Sequence, residues 1–193
     1  MSFTPLEVAA VLFGIVSVYL SVRENIWSWP TAIVNVTLYV FVFYQARLYA
    51  DMALQVVYIA ISIYGWYSWL HGGRERGELP VSRATPQIWG TVASVGVLAA
   101  AAIGIALARW TDASLPYVDA STSATSLLAQ WMMARKILEN WIVWVAVDVV
   151  YIGMFLFKSL YLTAFLYAVF LVLAAMGYVQ WKKSLLTRAA TLP

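Results

Sequence analysis

The sequence contains no cysteine and one histidine, and only 11% of its 193 residues are charged. Without cysteine there is no disulfide framework and no thiolate metal site. The single histidine, His71, falls in a polar stretch and is expected to be solvated rather than metal-bound. The shortage of charge excludes more. Soluble domains run near one quarter charged, and a chain with 63% hydrophobic residues cannot cover itself with water-compatible surface. Its solvent must be lipid. No Ser/His/Asp set, phosphate-binding glycine loop or metal-ligand cluster is legible, so neither enzymatic activity nor a cofactor nor a metal is expected, and nothing suggests a nucleic-acid partner. No segment alternates with the two-residue period of a membrane β-barrel. The first apolar segment has no basic residues before it, which fits a retained helix better than a cleavable signal peptide.

What is present is a series of long apolar runs. A membrane span needs about 20 such residues to cross a ~30 Å hydrocarbon core. Seven segments qualify, at 5–22, 27–44, 50–70, 87–109, 120–135, 140–157 and 159–181. The fifth is the weakest, because Ala120 to Ser126 are small and polar, as suits a helix packed among others. Backbone amides find no water in lipid, so each span must be helical. The predicted class is an all-α membrane protein, one transmembrane domain over residues 1–193. The loops then set orientation. Arg47, Arg109 and Lys158 lie on one side, and Arg23, Arg74, Arg76, Arg83, Arg135, Lys136, Lys182, Lys183 and Arg188 on the other, 3 against 9. Positive charge marks the cytoplasm, so the N-terminus is expected outside, with the C-terminus and the long polar loop 71–86 inside.

The chain also contains itself twice. Glu24-Asn25, Trp29, Leu48-Tyr49, Gly65 and Trp69 recur as Glu139-Asn140, Trp144, Leu160-Tyr161, Gly177 and Trp181. The offset reads 115 at the Glu-Asn pair and first Trp, and 112 from Tyr49 onward, as if the later copy were three residues shorter. Two three-helix repeats result, 5–70 and 120–181, with helix 87–109 between them. An odd linker helix restores the starting side, so both repeats insert in the same direction. Parallel repeats of this kind place a substrate site at their interface near mid-membrane.

Polar residues within spans are costly and call for a reason. Asn35 and Asp148 each lie about eight residues into a span, roughly 12 Å deep at 1.5 Å per residue. They are expected to face each other across the repeat axis. Trp141, Trp144, Asp148 and Tyr151 share one helical face. Asp51, Gln55, Tyr58, Ser62, Gly65 and Trp69 form a similar stripe on the third span, mirrored on the seventh by Thr163, Tyr167, Phe170, Ala174, Gly177 and Trp181. Such linings suit a flat ring with hydrogen-bonding substituents, and aromatic faces attract a cation. The candidate substrate-binding residues are Asn35, Gln55, Tyr58, Trp141, Trp144, Asp148, Tyr151 and Tyr167. Trp27, Trp66, Trp69, Trp89 and Trp181 are assigned instead to the aromatic belts at the membrane surfaces. Glu24 and Glu139 are expected in helix-end ion pairs with nearby Arg23 and Lys136.

Several stretches carry a resemblance. Ile33-Val34-Asn35-Val36-Thr37-Leu38, Gln45 to Tyr49, Leu54-Gln55-Val56, Ile63-Tyr64-Gly65-Trp66-Tyr67-Ser68-Trp69, and Arg135-Lys136-Ile137-Leu138-Glu139-Asn140-Trp141-Ile142-Val143-Trp144 resemble the PnuC family of nicotinamide riboside transporters over about residues 20–182. That resemblance implies a 3+1+3 arrangement related to the SWEET sugar transporters. It implies facilitated diffusion across the bacterial inner membrane, with a cytoplasmic kinase trapping the product by phosphorylation, and a homotrimer. The family's substrate-lining residues fall on Asn35, Gln55, Trp141 and Trp144. One position departs: the family's Asn-Trp-x-x-Trp-x-x-x-Asn ends here on Asp148. A carboxylate suits the pyridinium of nicotinamide riboside or the thiazolium of thiamine, and suits neutral riboflavin less well. The reading is a nicotinamide riboside transporter, with a thiamine transporter of the same family as the alternative. A non-transporting membrane subunit or receptor is the reading from another class, and the asymmetric polar lining argues against it.

Overall fold

The computed structural model describes residues 4–45, 47, 49–110, 116–157 and 159–191. Leu48 and Lys158, used above in the repeat and in the charge tally, lie outside the described residues. Seven α-helices follow one another: α1 (Pro5–Val22), α2 (Ser28–Gln45), α3 (Tyr49–His71), α4 (Pro86–Trp110), α5 (Pro116–Ala134), α6 (Asn140–Phe157) and α7 (Tyr161–Thr191). Every expected span is a helix. The last runs about ten residues beyond the expected end, since no Gly or Pro interrupts it between Trp181 and Thr191. Among the described residues, five helices are long and apolar enough to cross a membrane, α2 and α5 falling short. Their deficit is compositional: α2 carries Ser28, Thr31, Asn35 and Thr37, and α5 carries Asp119, Ser121, Thr122, Ser123, Thr125 and Ser126.

Local chemistry sets the helix starts. Thr4 Oγ1 accepts the Glu7 amide at 3.2 Å while Glu7 Oε2 accepts the Thr4 amide at 2.7 Å, a reciprocal cap that seals α1 ahead of Pro5. Thr85 Oγ1 accepts the Ile88 amide at 3.3 Å and opens α4, with Pro86 at its first position. Hydroxyls inside helices turn back onto their own backbone, as Thr37 Oγ1 does to the Ile33 carbonyl and Ser126 Oγ to that of Thr122, so they need no water. The side chains left outermost are large and apolar, among them Leu12, Phe41, Val97, Leu98, Leu162 and Phe165, as a lipid-facing surface requires.

The chain divides into two compact units. The first comprises residues 1–81, 134–136 and 179–193. In it α2 packs against both α1 and α3. Its interior is a run of indoles. Trp29 meets Trp69 edge-on at 5.3 Å, Trp69 meets Trp181 at 5.7 Å, and Trp181 Nε1 donates to the Ser21 carbonyl at 2.9 Å. The sequence assigns Trp69 and Trp181 to the surface belts, yet both are buried, whereas Trp27, Trp66 and Trp89 are exposed as belts demand. The second unit comprises 82–133 and 137–178. There the loop after α3 is tied down rather than free: Leu138 N donates to the Ser82 carbonyl at 2.8 Å, and Glu139 accepts the Ala84 amide at 2.8 Å with Arg83 3.9 Å away. His71 belongs to the last turn of α3, stacked on Tyr67 at 4.7 Å.

Two helix corners recur in the backbone, with a register different from the one the Glu-Asn pairs suggest. Left-handed corner residues occur at Glu24 and Lys136 (φ 54° and 52°) and at Arg47 and Ser159 (φ 59° and 57°), each pair 112 positions apart. The corner hydrogen bonds repeat at the same step. Asn25 N to Leu20 O, Ser28 N to Asn25 O and Trp29 N to Ile26 O recur as Ile137 N to Met132 O, Asn140 N to Ile137 O and Trp141 N to Leu138 O. Among the described residues these two corners therefore share one 112-residue step, with no three-residue shortening between them. The two Glu-Asn pairs are not equivalent. Asn25 Oδ1 accepts the Trp27 amide in a turn, while Asn140 sits one turn later and donates to the Ile137 carbonyl. Trp29 matches Trp141, not Trp144.

The matched tryptophans do the same work. A Cβ on Gly65 would collide with the Trp29 ring, and one on Gly177 would come within 2.5 Å of the Trp141 ring. Only glycine lets an indole lie flat on the helix backbone there. Gly65→Ala and Gly177→Ala should each cost about 1–3 kcal/mol through overpacking, read as a lowered melting temperature of the purified protein in detergent. Gly153→Ala, where a Cβ meets nothing within 4 Å, should leave it unchanged.

Candidate functional site

Helix α6 buries Asn140, Trp141, Val147, Asp148 and Met154, residues spaced by one and seven along a single face. Two of its buried polar atoms, Asn140 Oδ1 and Trp144 Nε1, have no hydrogen-bond partner. Asn140 is fully buried and its amide nitrogen is committed to the Ile137 carbonyl at 2.6 Å. One turn on comes Trp144, and one turn further Asp148, only 3% exposed. Among the described residues no hydrogen bond or ion pair reaches the Asp148 carboxylate. An acceptor, a donor and a carboxyl group thus stand at i, i+4 and i+8 of one helix, the first two with their polar atoms buried and the third on a buried residue. Polar atoms buried without partners are rare in folded proteins, and two of them stand in register with the Asp148 carboxylate.

The next turn is aromatic. Tyr151 lies 4.8 Å from Tyr167 of α7, Phe155 lies 5.1 Å from Tyr167, and Tyr167 meets Phe170 edge-on at 5.8 Å. Of the expected site residues, Trp141, Trp144, Asp148 and Tyr151 therefore share α6, and Tyr167 is packed directly on Tyr151. Trp141 serves Gly177 as well, so its ring has a packing task.

In the first unit the expected residues are placed differently. Gln55 and Tyr58 are half-buried on α3, on the stripe that continues to buried Ser62, Gly65 and Trp69. Asn35 donates to the Ala10 carbonyl of α1 at 2.6 Å, and its side chain rests where Gly14 leaves room. Under the 112-residue step Asn35 corresponds to Val147, and Asp148 to buried Val36. The two polar residues match in depth but lie one residue apart around the helix, about 100°. Further buried polar atoms without partners are Ser28 Oγ, Trp29 Nε1 and Ser62 Oγ. Sequence reasoning passed over Asn140 and Ser28 because both stand at the first position of a helix, where a polar residue reads as a cap. Their signal is that they are equivalent across the repeat. Among the described residues no group of three His, Asp or Glu side chains could hold a metal ion.

A family profile described as nicotinamide mononucleotide transporter matches residues 4–183. The chain belongs to that family, the PnuC family. It is 25% identical to the nicotinamide riboside transporter PnuC of Escherichia coli (strain K12), covering 93% of this chain and 85% of that protein. It is 28% identical to the nicotinamide riboside transporter PnuC of Neisseria mucosa, over 92% of this chain and 71% of that one. The riboflavin/roseoflavin transporter RibM of Streptomyces davaonensis is 24% identical, over 88% and 81%. The fold matches the crystal structure of the vitamin B3 transporter PnuC with a TM-score of 0.73 at 24% identity, covering 92% of this chain and 80% of that one. The chain is thus a multi-pass membrane protein of a transporter family, and its relatives are transporters rather than enzymes.

The two kinds of polar residue separate experimentally in the protein without solute. Asn35→Ala deletes a made interhelical bond and should lower stability by about 0.6 to 1.7 kcal/mol. Ser62→Ala removes only a buried, unpartnered hydroxyl and should leave it unchanged or raised. Denaturation of both variants followed by intrinsic fluorescence checks this.

Proposed function

We propose that this chain carries nicotinamide riboside across the bacterial inner membrane by facilitated diffusion. Family membership supplies the class of cargo, and one observation carries the choice within it: the Asp148 carboxylate is buried with no cation among the described residues to balance it. A charge at mid-helix costs about 2.5–3.5 kcal/mol on insertion scales. The pyridinium ring of nicotinamide riboside offsets that cost each time it binds. Trp144 or Trp141 stacks on the ring, Trp144 Nε1 and Asn140 Oδ1 meet its polar substituents, and Tyr151 and Tyr167 complete the wall. Asn35, Gln55 and Tyr58 are assigned to the amide or ribose at other stages of passage.

The organisation that supports this reading is 3+1+3, with α1–α3 and α5–α7 as like-oriented repeats and α4 as linker; the 112-residue step shared by the two corners favours it. The two repeats rock to alternate access. The excess of Lys and Arg puts the C-terminus in the cytoplasm, where a kinase phosphorylates and traps the product. We assign the assembly as a homotrimer. Thiamine, with its thiazolium cation, is the second reading, because Asp148 would balance it equally.

Two measurements decide. In reconstituted vesicles Asp148→Ala should lower nicotinamide riboside uptake by tenfold or more, about 1.4 kcal/mol, and Asp148→Asn should retain part of it. Unchanged uptake in both would remove Asp148 from the site. In a thermal-shift panel of nicotinamide riboside, thiamine and riboflavin, only the cargo should raise the melting temperature at low concentration. A shift with riboflavin alone would overturn the cation argument.

A further inference from the structure

Two corner residues at equivalent places in the repeats bond to each other. Glu24 closes the α1–α2 corner and Lys136 the α5–α6 corner, and both hold left-handed backbone that residues with a Cβ seldom adopt. Lys136 Nζ lies 2.9 Å from Glu24 Oε2 and 4.8 Å from the centre of the Trp69 ring. Lys136 is only 7% exposed, and Trp69 rests on Trp29 and Trp181. The sequence suggests Arg23 as the partner of Glu24 and Lys136 as that of Glu139. Instead Glu24 reaches across to Lys136, 112 positions away, and Glu139 pairs with Arg83.

Beside the pair opens a cavity of about 200 Å³ lined by Glu24, Glu78, Lys136, Ser184 and Arg188. Two of its lining residues, Lys136 and Arg188, belong to the side on which the sequence tally puts nine of the twelve Lys and Arg residues. The other two corners of the repeats carry Arg47 and Ser159, both exposed, a cation and a hydroxyl that cannot form such a pair.

We propose that the Glu24–Lys136 pair is a latch that holds the basic mouth of the transporter shut and must part for solute to pass. The proposal rests on the transport reading above. A rocking motion between repeats changes the spacing of their corners, so a bond between equivalent corners reports and resists that motion. Its chemistry is suited to switching. A buried ion pair spends most of its attraction on lost hydration, so parting into a wet cavity returns water to both charges and leaves the two states close in free energy. The cation–π contact adds an attraction that exists only while Lys136 is over Trp69. Because Arg47 and Ser159 offer no counterpart, the latch acts at one mouth only and biases the resting protein toward closure there.

The test uses the natural absence of cysteine. Ser184→Cys places one thiol in the cavity, and its reaction with a water-soluble maleimide is followed in lipid nanodiscs without solute. Ala10→Cys, at a fully buried position of α1, supplies a reference thiol. Lys136→Gln and Glu24→Gln should each speed labelling of the cavity thiol by roughly fivefold or more, the lower end of typical coupling between states. The swap Glu24→Lys with Lys136→Glu should restore the slow rate, and the reference thiol should stay unreactive throughout. Unchanged labelling in the neutral variants overturns the latch, as does a swap that labels as fast as they do. So does a parallel rise at the reference thiol, which would mean a loosened fold. If the neutral variants do not fold, Glu24→Asp decides, since it keeps the charge and withdraws it by one methylene: faster labelling than the parent supports the latch, and an identical rate overturns it. Because no solute is present, failure here leaves the cargo assignment standing, and failure of the cargo assignment leaves this result intact.

Discussion

A carboxylate kept out of water needs a cation, a proton or a ring of hydrogen-bond donors. Among the described residues neither a cation nor a hydrogen-bond donor of its own chain reaches Asp148. Everything around it follows from that constraint. The residues one and two turns before it, Trp144 and Asn140, hold buried polar atoms without partners, and the turn after it is a cluster of packed aromatic rings. A helix built only to pack in lipid would place none of these on one face, because each unmade bond costs about 1–3 kcal/mol. The arrangement is intelligible when a flat, cationic, hydrogen-bonding solute supplies the missing partners.

The scaffold that presents this face is made of equivalent parts doing unequal jobs. The 112-residue step pairs Trp29 with Trp141 and Gly65 with Gly177, and in both repeats an indole lies against a bare stretch of helix. Elsewhere the copies have diverged. Asp148 answers to Val36, Trp144 to Ala32 and Tyr167 to Gln55, so the second copy carries the charge and the rings. At two corners 112 positions apart stand Glu24 and Lys136, opposite charges at 2.9 Å.

Much of this was legible in the sequence. Helix positions came from apolar run length, since that signal is local. The stripe from Gln55 to Trp69 was readable from spacing alone. What failed was non-local. The recurrence of Glu-Asn suggested a 115-residue offset, yet the letters coincide while the backbone places them one turn apart. Trp69 and Trp181 read as surface anchors because tryptophan near a span end usually is one; their burial depends on the partners that three other elements bring. Glu24 could be read as ionic, but its partner lies 112 residues away, beyond what neighbour charges reveal.

The claim that matters most is that the α6 face recognises positive charge, and it can be measured without transport. Calorimetric titration of the purified protein with nicotinamide riboside and with its reduced, uncharged dihydro form compares two solutes of nearly the same shape. The account predicts that the cationic form binds at least tenfold more tightly, about 1.4 kcal/mol. Equal affinity for the two, or preference for the neutral one, would contradict it.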